Sequence, residues 1–270
     1  MESSTMSHTL GHTVNCSLLF TELPVNERPQ AARDAGFHAV EFWWPWETAT
    51  PPQDEIDTFV TAIDTAGVRL TGLNFFAGQL PGPDRGVLSH PDRAAEFRAN
   101  IDLVVQIAER TGATGFNALY GRRQDGADPA EQDRIALENT LAAAEAVAAV
   151  DGTVLIEPIS GADDYPLKTA ADGLAFVEQA HKAGAGNVAF LADFFHLAVN
   201  GDDLAQVVRD HAAEFGHIQI ADAPGRGEPG SGELPLERLL SDSRARGYNG
   251  PVGLEYKPTV PSAESFGWMR

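Results

Sequence analysis

At residues 217–234 the chain reads HIQIADAPGRGEPGSGEL. Its first four residues alternate polar and apolar side chains, which is typical of a half-buried β-strand. About a dozen residues rich in glycine and proline follow, and loops of that length without structure of their own are usually functional or disordered. Disorder stays open, because Pro and Gly are also the commonest residues of ordinary loops. Arg226 in the loop and Gln219 in the strand favour a binding loop directly after a strand.

The order of strand, loop and helix recurs along the chain. The predicted strands are 14–20, 38–42, 68–75, 115–119, 153–157, 188–193, 217–220 and 252–255. The predicted helices are 27–35, 54–66, 92–110, 129–149, 169–183, 202–213 and 236–246, with a short closing helix after Ser262. Eight strands that alternate with helices over about 250 residues are typical of a (β/α)8, or TIM, barrel.

A doubly wound open sheet is the competing α/β architecture, but no GxGxxG motif follows the first predicted strand. No linker or break in composition divides the sequence. We therefore predict an α/β protein with a single TIM-barrel domain at residues 13–270, preceded by a disordered or frayed tail at residues 1–12.

The composition is acidic. The chain has 39 Asp and Glu against 19 Lys and Arg, a formal net charge of −20. Such a surface repels a phosphate backbone, so nucleic acids and anionic membranes are poor partners, and a small molecule or a metal cation is a better one. The sequence shows neither a long apolar run that predicts a membrane span nor the pattern of a signal peptide. The single cysteine, Cys16, excludes an internal disulfide and favours the cytoplasm.

Polar residues lie at the ends of the last four predicted strands: Glu157, Asp193, Gln219 and Glu255. In a TIM barrel the carboxyl ends of the strands converge on one mouth. Three carboxylates gathered there without a cation would repel one another, and at least one would take up a proton. Three carboxylates and one amide suit a hard divalent ion such as Mg²⁺ or Mn²⁺. Each acid taken alone could instead cap the helix after its strand.

Five segments of the chain resemble the hydroxypyruvate isomerase family: GLNFFAG, LIEP, LADFFHL, HIQIADAPGRGEPGSGEL and GLEYKPT. That family is part of a wider xylose-isomerase-like group of TIM barrels, which includes sugar epimerases and endonuclease IV. The resemblance covers residues 14–268. It implies a metal-dependent isomerase, expected as a homo-oligomer, that interconverts hydroxypyruvate and 2-hydroxy-3-oxopropanoate (tartronate semialdehyde) through an enediolate.

The resemblance also implies roles for individual residues. The four residues implied to bind the divalent metal are Glu157, Asp193, Gln219 and Glu255. Glu157 and Glu255 would double as the acid/base pair. The residues expected to bind substrate or line its pocket are His196, Arg226, Lys257, Glu41, Asn74 and Arg85. Structural roles stay open for three of them: a buried histidine for His196, an ion pair for Lys257 and a helix cap for Glu41.

The segment after the fifth strand departs from the family pattern. The family often continues Glu-Pro with Asn and Arg in a loop that folds over the substrate, but residues 159–166 read ISGADDYP. Arg226, Lys257 or Arg85 is then left to hold a substrate carboxylate. The alternatives on this scaffold are a sugar 3-epimerase, a 2-oxo-tetronate isomerase and an inosose-type dehydratase. A barrel that only binds a small molecule is a further alternative, whereas the acidic charge disfavours a repair endonuclease.

Overall fold

The computed structural model describes residues 11–80 and 82–269. Eight parallel strands close into a barrel in chain order, with β1 paired to both β2 and β8. The strands are β1 (His12–Asn15), β2 (Ala39–Phe42), β3 (Arg69–Leu73), β4 (Gly115–Asn117), β5 (Thr153–Ile156), β6 (Val188–Asp193), β7 (Phe215–Ile220) and β8 (Val252–Leu254). The prediction of a single-domain TIM barrel is confirmed.

Helices follow the strands and cover the outside of the barrel. They are α1 (Arg28–Asp34), α2 (Gln53–Ala66), α3 (Ala94–Thr111), α4 (Pro129–Val147), α5 (Ala170–Lys182), α6 (Phe194–Val199), α7 (Leu204–His211) and α8 (Leu236–Ala245). Short 3₁₀ helices lie at Val25–Glu27, Pro91–Arg93, Ala148–Val150, Ala212–Glu214 and Ser262–Met269. Helix α2 shows why they pack on the sheet: Ile56, Phe59, Val60 and Ile63, spaced at helical intervals, are all buried. Among the described residues, no helix is both long and apolar enough to cross a lipid bilayer.

The first predicted strand is too long. The strand ends at Asn15, whose side-chain oxygen accepts the Ser17 N–H at 3.0 Å while its carbonyl accepts the N–H of Leu19 at 3.0 Å. These bonds turn the chain, and the apolar run that follows is partly buried without being extended. At the other end, Gly11 accepts the Val252 N–H and His12 begins β1, so two residues of the predicted tail belong to the barrel. Residues 1–10 lie outside the described residues.

Helix α6 was not predicted, because only one helix, at residues 202–213, was expected after β6. Asp193 begins α6, because its Oδ1 accepts the backbone N–H groups of Phe195 and His196 at 2.8 and 3.1 Å. The later helix is the shorter α7, capped by Asp203. Other boundaries differ from the prediction by a few residues. Glu157 and Glu255 each lie directly after a strand instead of ending it.

Candidate metal-binding and active site

Each strand brings one polar side chain to the carboxyl end of the barrel, from within the strand or from the position directly after it. In strand order these residues are Asn15, Glu41, Asn74, Asn117, Glu157, Asp193, Gln219 and Glu255, none more than 5% exposed. We call this set the polar ring. Side-chain hydrogen bonds connect its members, for example Asn117 Nδ2 to Glu157 Oε2 at 2.7 Å and Asn15 Nδ2 to Glu255 Oε1 at 3.1 Å.

Three buried carboxylates of the polar ring lie close together. One side-chain ligand atom from each of Glu157, Asp193, Glu255 and the neighbouring His196 lies within 4.8 Å of the other three. Gln219 is paired directly with Asp193 across the ladder between β6 and β7. A buried acidic and histidine cluster of this kind could hold a metal ion.

The electrostatics show that this cluster lacks enough positive charge of its own. Burial, and next the charge of Asp193, raise the pKa of Glu157 from its ordinary value to about 8. Burial also raises the pKa of Glu255, although the Arg226 guanidinium acts in the opposite direction. Carboxylates this close retain a proton near neutral pH unless a cation joins them. Metal binding would therefore displace a proton from the cluster.

Two oxygen atoms of the cluster fit a metal. Asp193 uses Oδ1 to cap α6, but its buried Oδ2 has no hydrogen-bond partner among the described residues. Likewise, Gln219 donates through Nε2 to Glu41, while its buried Oε1 has no such partner. A buried acceptor without a partner costs about 1–3 kcal/mol, so a ligand that uses both oxygens would stabilise them. Asp193 is thus both the helix cap and a candidate ligand, which the sequence had posed as alternatives.

His196 faces the carboxylates with a hydrogen-bond donor. Its Nδ1 accepts the backbone N–H of Ser160 at 3.0 Å and lies 2.8 Å from the Ser160 hydroxyl oxygen. A neutral imidazole whose Nδ1 accepts carries its proton on Nε2, which lies 3.7 Å from Asp193 and 4.0 Å from Glu157. Burial lowers the pKa of His196 to about 4, so the ring stays neutral. The side chain can donate to a substrate oxygen, and in this tautomer Nε2 is not a metal ligand.

Glu41 lies within the polar ring as a support for Gln219. Its Oε1 accepts from Gln219 Nε2 at 2.8 Å and from Asn15 Nδ2 at 3.2 Å, and its Oε2 lies 2.8 Å from His217 Nε2. These bonds fix which way the Gln219 amide points, because its nitrogen must face Glu41. Both carboxylate oxygens of Glu41 are thus bound by donors of the protein. These contacts are not those of a helix cap, the alternative role that the sequence left open.

The remaining predicted substrate residues occupy different positions. Arg226 donates to Glu255 Oε2 at 2.7 Å, lies 3.8 Å from Asp193 Oδ2 and stacks over Phe195. Although burial opposes it, the nearby carboxylates raise the pKa of Arg226, which keeps it charged. Lys257 is exposed. Asn74 is buried, and its Nδ2 has no hydrogen-bond partner within residues 11–80 and 82–269.

Four residues that were not predicted from the sequence contribute to the site. Asn15 and Asn117 end β1 and β4, but the predicted strands 14–20 and 115–119 ran past both of them, so the strand-end rule did not select them. Trp43 donates its indole N–H to Glu255 Oε1 at 2.6 Å. Ser160 fixes the His196 ring, and no sequence signal indicated that contact.

Comparisons with known proteins agree with this fold. Residues 29–270 match the family model described as xylose isomerase-like TIM barrel. A Streptomyces coelicolor protein named "Putative hydroxypyruvate isomerase" is 55% identical over 262 residues, which cover 95% of this chain and 94% of that protein. A Cupriavidus necator protein named 2-oxo-tetronate isomerase is 33% identical over 258 residues, covering 95% and 96%. A crystal structure from Brucella melitensis, named AP endonuclease, family 2, is 28% identical, with a TM-score of 0.85 over 95% of this chain and 96% of that one.

The chain therefore belongs to the xylose isomerase-like TIM barrel family. The resemblance to hydroxypyruvate isomerases, inferred from five short segments, is confirmed over nearly the whole length. The prediction of an enzyme of the isomerase class is confirmed as well, because these relatives are named as isomerases.

Proposed function

We propose that this protein is a divalent-metal-dependent isomerase that interconverts hydroxypyruvate and 2-hydroxy-3-oxopropanoate. Two observations carry this proposal: the cluster of three buried carboxylates, and two nearby oxygens, Asp193 Oδ2 and Gln219 Oε1, that have no hydrogen-bond partner in the described part of the chain. The name and the 55% identity of the Streptomyces relative support the substrate. Glu157, Asp193, Gln219 and Glu255 would hold the cation, with Mg²⁺ or Mn²⁺ as the ions that suit such oxygen donors.

The reaction moves one proton between adjacent carbons. One of Glu157 and Glu255 removes a proton from C3 of hydroxypyruvate, and the other delivers a proton to C2 of the resulting enediolate. The C3 hydroxyl loses its proton and becomes the aldehyde as the C2 carbonyl oxygen gains a proton and becomes a hydroxyl, so atoms and electrons balance. A bound divalent cation would stabilise the negative charge that develops on the two substrate oxygens.

The surrounding residues have definite tasks in this scheme. Arg226 and Trp43 both donate to Glu255, which fixes the carboxylate in one orientation. Asn117 does the same for Glu157. His196 offers its Nε2–H to a substrate oxygen while Ser160 holds the ring. Positioning of this kind supplies much of the acceleration in proton-transfer enzymes.

A 2-oxo-tetronate isomerase is the second candidate, favoured by the Cupriavidus relative at 33% identity. Both candidate substrates are 2-oxo acids, so the same proton shift serves each of them. The acidic surface, with a net charge of −20, supports a small-molecule substrate over nucleic acid. The single cysteine supports a cytoplasmic location, and we also propose a homo-oligomer.

The test is to incubate the purified protein with hydroxypyruvate and Mg²⁺ or Mn²⁺ in D₂O and to follow the products by NMR. We expect isomerisation with deuterium incorporated at carbon, and a loss of about 10²–10⁴-fold in kcat for both Glu157→Gln and Glu255→Gln. Glu178→Gln is the matched control, because Glu178 is an exposed glutamate paired with Lys182. Full activity in either site variant would contradict the acid/base assignment. Turnover only of a four-carbon 2-oxo acid would favour the second candidate.

A further inference from the structure

Any 2-oxo acid substrate brings a carboxylate, and the loop after β5 lacks the arginine that the family pattern supplies there. Three cationic side chains remained as candidates to bind this carboxylate, and the structure disfavours two of them. Arg226 is engaged by Glu255 and lies near Asp193, and Lys257 is exposed. Arg85 is half-buried, and among the described residues no hydrogen bond or ion pair engages its guanidinium.

Arg85 extends to the loop in which the arginine is missing. Its Nη2 lies 3.9 Å from the position that a Cβ on Gly161 would occupy, and no other atom outside the local chain lies within 4 Å of that point. Gly161 follows Ser160, whose N–H and hydroxyl contact His196 Nδ1. The guanidinium is therefore on the His196 side of the barrel mouth.

The backbone holds Arg85 in this place. Arg85 has a φ of +57°, a left-handed conformation that is uncommon for residues other than glycine and often marks functional sites. The next residue, Gly86, donates to the Ala77 carbonyl at 3.0 Å. A Cβ at Gly86 would lie 2.2 Å from the Leu119 carbonyl oxygen, so the loop packs directly on the segment after β4. The base of the Arg85 loop is fixed by these contacts.

We propose that Arg85, on the loop between β3 and α3, binds the carboxylate of the substrate in place of the missing arginine after the fifth strand. The substrate class is then a short 2-oxo acid with a hydroxyl on the adjacent carbon, and neutral sugars are disfavoured. A guanidinium offers two parallel N–H groups that match a carboxylate. This inference rests on the proposed function, since it names what the same site recognises.

Direct binding tests the inference without turnover. The probe is D-glycerate, which has the carboxylate and C3 hydroxyl of hydroxypyruvate but a C2 hydroxyl in place of the carbonyl, so it cannot enolise. Isothermal titration of the metal-loaded protein should show Kd increased about 10- to 100-fold in Arg85→Gln and by less in Arg85→Lys, which keeps the charge but not the fork. Two controls accompany them. Arg122→Gln removes a charge from a neighbouring loop where Arg122 pairs with Asp164, and Lys257→Met removes the rival cation.

Kinetics give a second readout. Dihydroxyacetone is the neutral counterpart of hydroxypyruvate, with a hydroxymethyl group in place of the carboxylate. Arg85→Gln should lower kcat/KM for hydroxypyruvate by about 10- to 100-fold and change it little for dihydroxyacetone. Equal losses in Arg85→Gln and Arg122→Gln, or a loss only in Lys257→Met, would overturn the inference.

The two proposals fail in different ways. If glycerate binding depends on Arg85 but the wild-type protein does not isomerise hydroxypyruvate, the proposed reaction is wrong and the carboxylate site stands. If isomerisation proceeds and Arg85→Gln changes neither the Kd for glycerate nor kcat/KM for hydroxypyruvate, the proposed reaction stands and Arg85 does not bind the substrate carboxylate. Because Arg85 has no hydrogen bond or ion pair within the described residues, Arg85→Gln should unfold at the wild-type temperature. If Arg85→Gln unfolds at a lower temperature than the wild type, Arg85→Lys is used in its place.

Discussion

Replacing Arg226 with methionine tests whether this guanidinium compensates the buried carboxylates. Its side chain is 13% exposed, 2.7 Å from Glu255 and 3.8 Å from Asp193. Removing one partner of a buried ion pair costs about 3–5 kcal/mol, because the other charge is left uncompensated. Methionine has a similar apolar stem but lacks the guanidinium that stacks on Phe195. At about 2–3 °C per kcal/mol, we expect Tm of the metal-free protein to fall by about 6–15 °C.

The pH dependence of this loss has a definite sign. Burial already raises the folded-state pKa of Glu157 and Glu255 above the ordinary value, so each glutamate weakens folding increasingly as the pH rises above about 4.5. Without Arg226 these pKa values rise further, because its charge favours the ionised forms. The loss in unfolding free energy should therefore be larger at pH 8 than at pH 6. Mg²⁺ or Mn²⁺ should restore more stability to Arg226→Met than to the wild type, since the cation supplies the missing charge.

The assay is urea denaturation with EDTA at pH 6 and pH 8, repeated with metal. Arg122→Met is the matched control, because Arg122 also pairs with a carboxylate, Asp164, at 2.7 Å, but both side chains are nearly 40% exposed. A surface pair of this kind contributes about 0–1 kcal/mol. If Arg226→Met and Arg122→Met lose the same free energy at pH 8, Arg226 does not balance the cluster and the reasoning is refuted.

Two further variants test the support beneath the metal ligands. Glu41→Leu should weaken metal binding about 10- to 100-fold by titration calorimetry, because the Gln219 amide loses the acceptor that directs its Oε1 into the cluster; an unchanged Kd would contradict that role. Gly253→Ala should lower the free energy of unfolding by about 1–3 kcal/mol, because the new Cβ would lie 2.6 Å from Glu41 Oε1. Gly186→Ala, with no atom outside the local chain within 4 Å, is its control in the same denaturation series.

The barrel and the cluster of acids could be predicted because each depends on a repeating local pattern. Buried strands alternate with amphipathic helices, and the register of a parallel barrel brings strand ends together whatever the loops do. That rule places Glu157, Asp193 and Glu255 at one end of the barrel from the sequence alone. Asp193 lies in the cluster although the same residue caps α6.

The rest depends on contacts between distant residues that no local pattern encodes. Glu41 and Gln219 are 178 positions apart, so the sequence could not show that the Glu41 carboxylate orients the Gln219 amide. The His196 tautomer follows from a backbone N–H of Ser160, 36 positions away. The first strand was predicted too long because an apolar run does not distinguish an extended chain from a buried turn. The hydrogen bonds of Asn15 show that the chain turns at this point.

The charges of the site argue for the position of the substrate carboxylate. Glu157, Asp193 and Glu255, once ionised, are balanced by Arg226 and one divalent cation together. A neutral sugar could enter such a site without a further positive group. A 2-oxo acid adds one negative charge in a buried region where water cannot screen it. Enolisation leaves the total charge unchanged, because the glutamate that takes the proton becomes neutral. A further cation is therefore required at the mouth for a 2-oxo acid and not for a sugar. Arg85, half-buried and beside Gly161, is placed to meet that requirement.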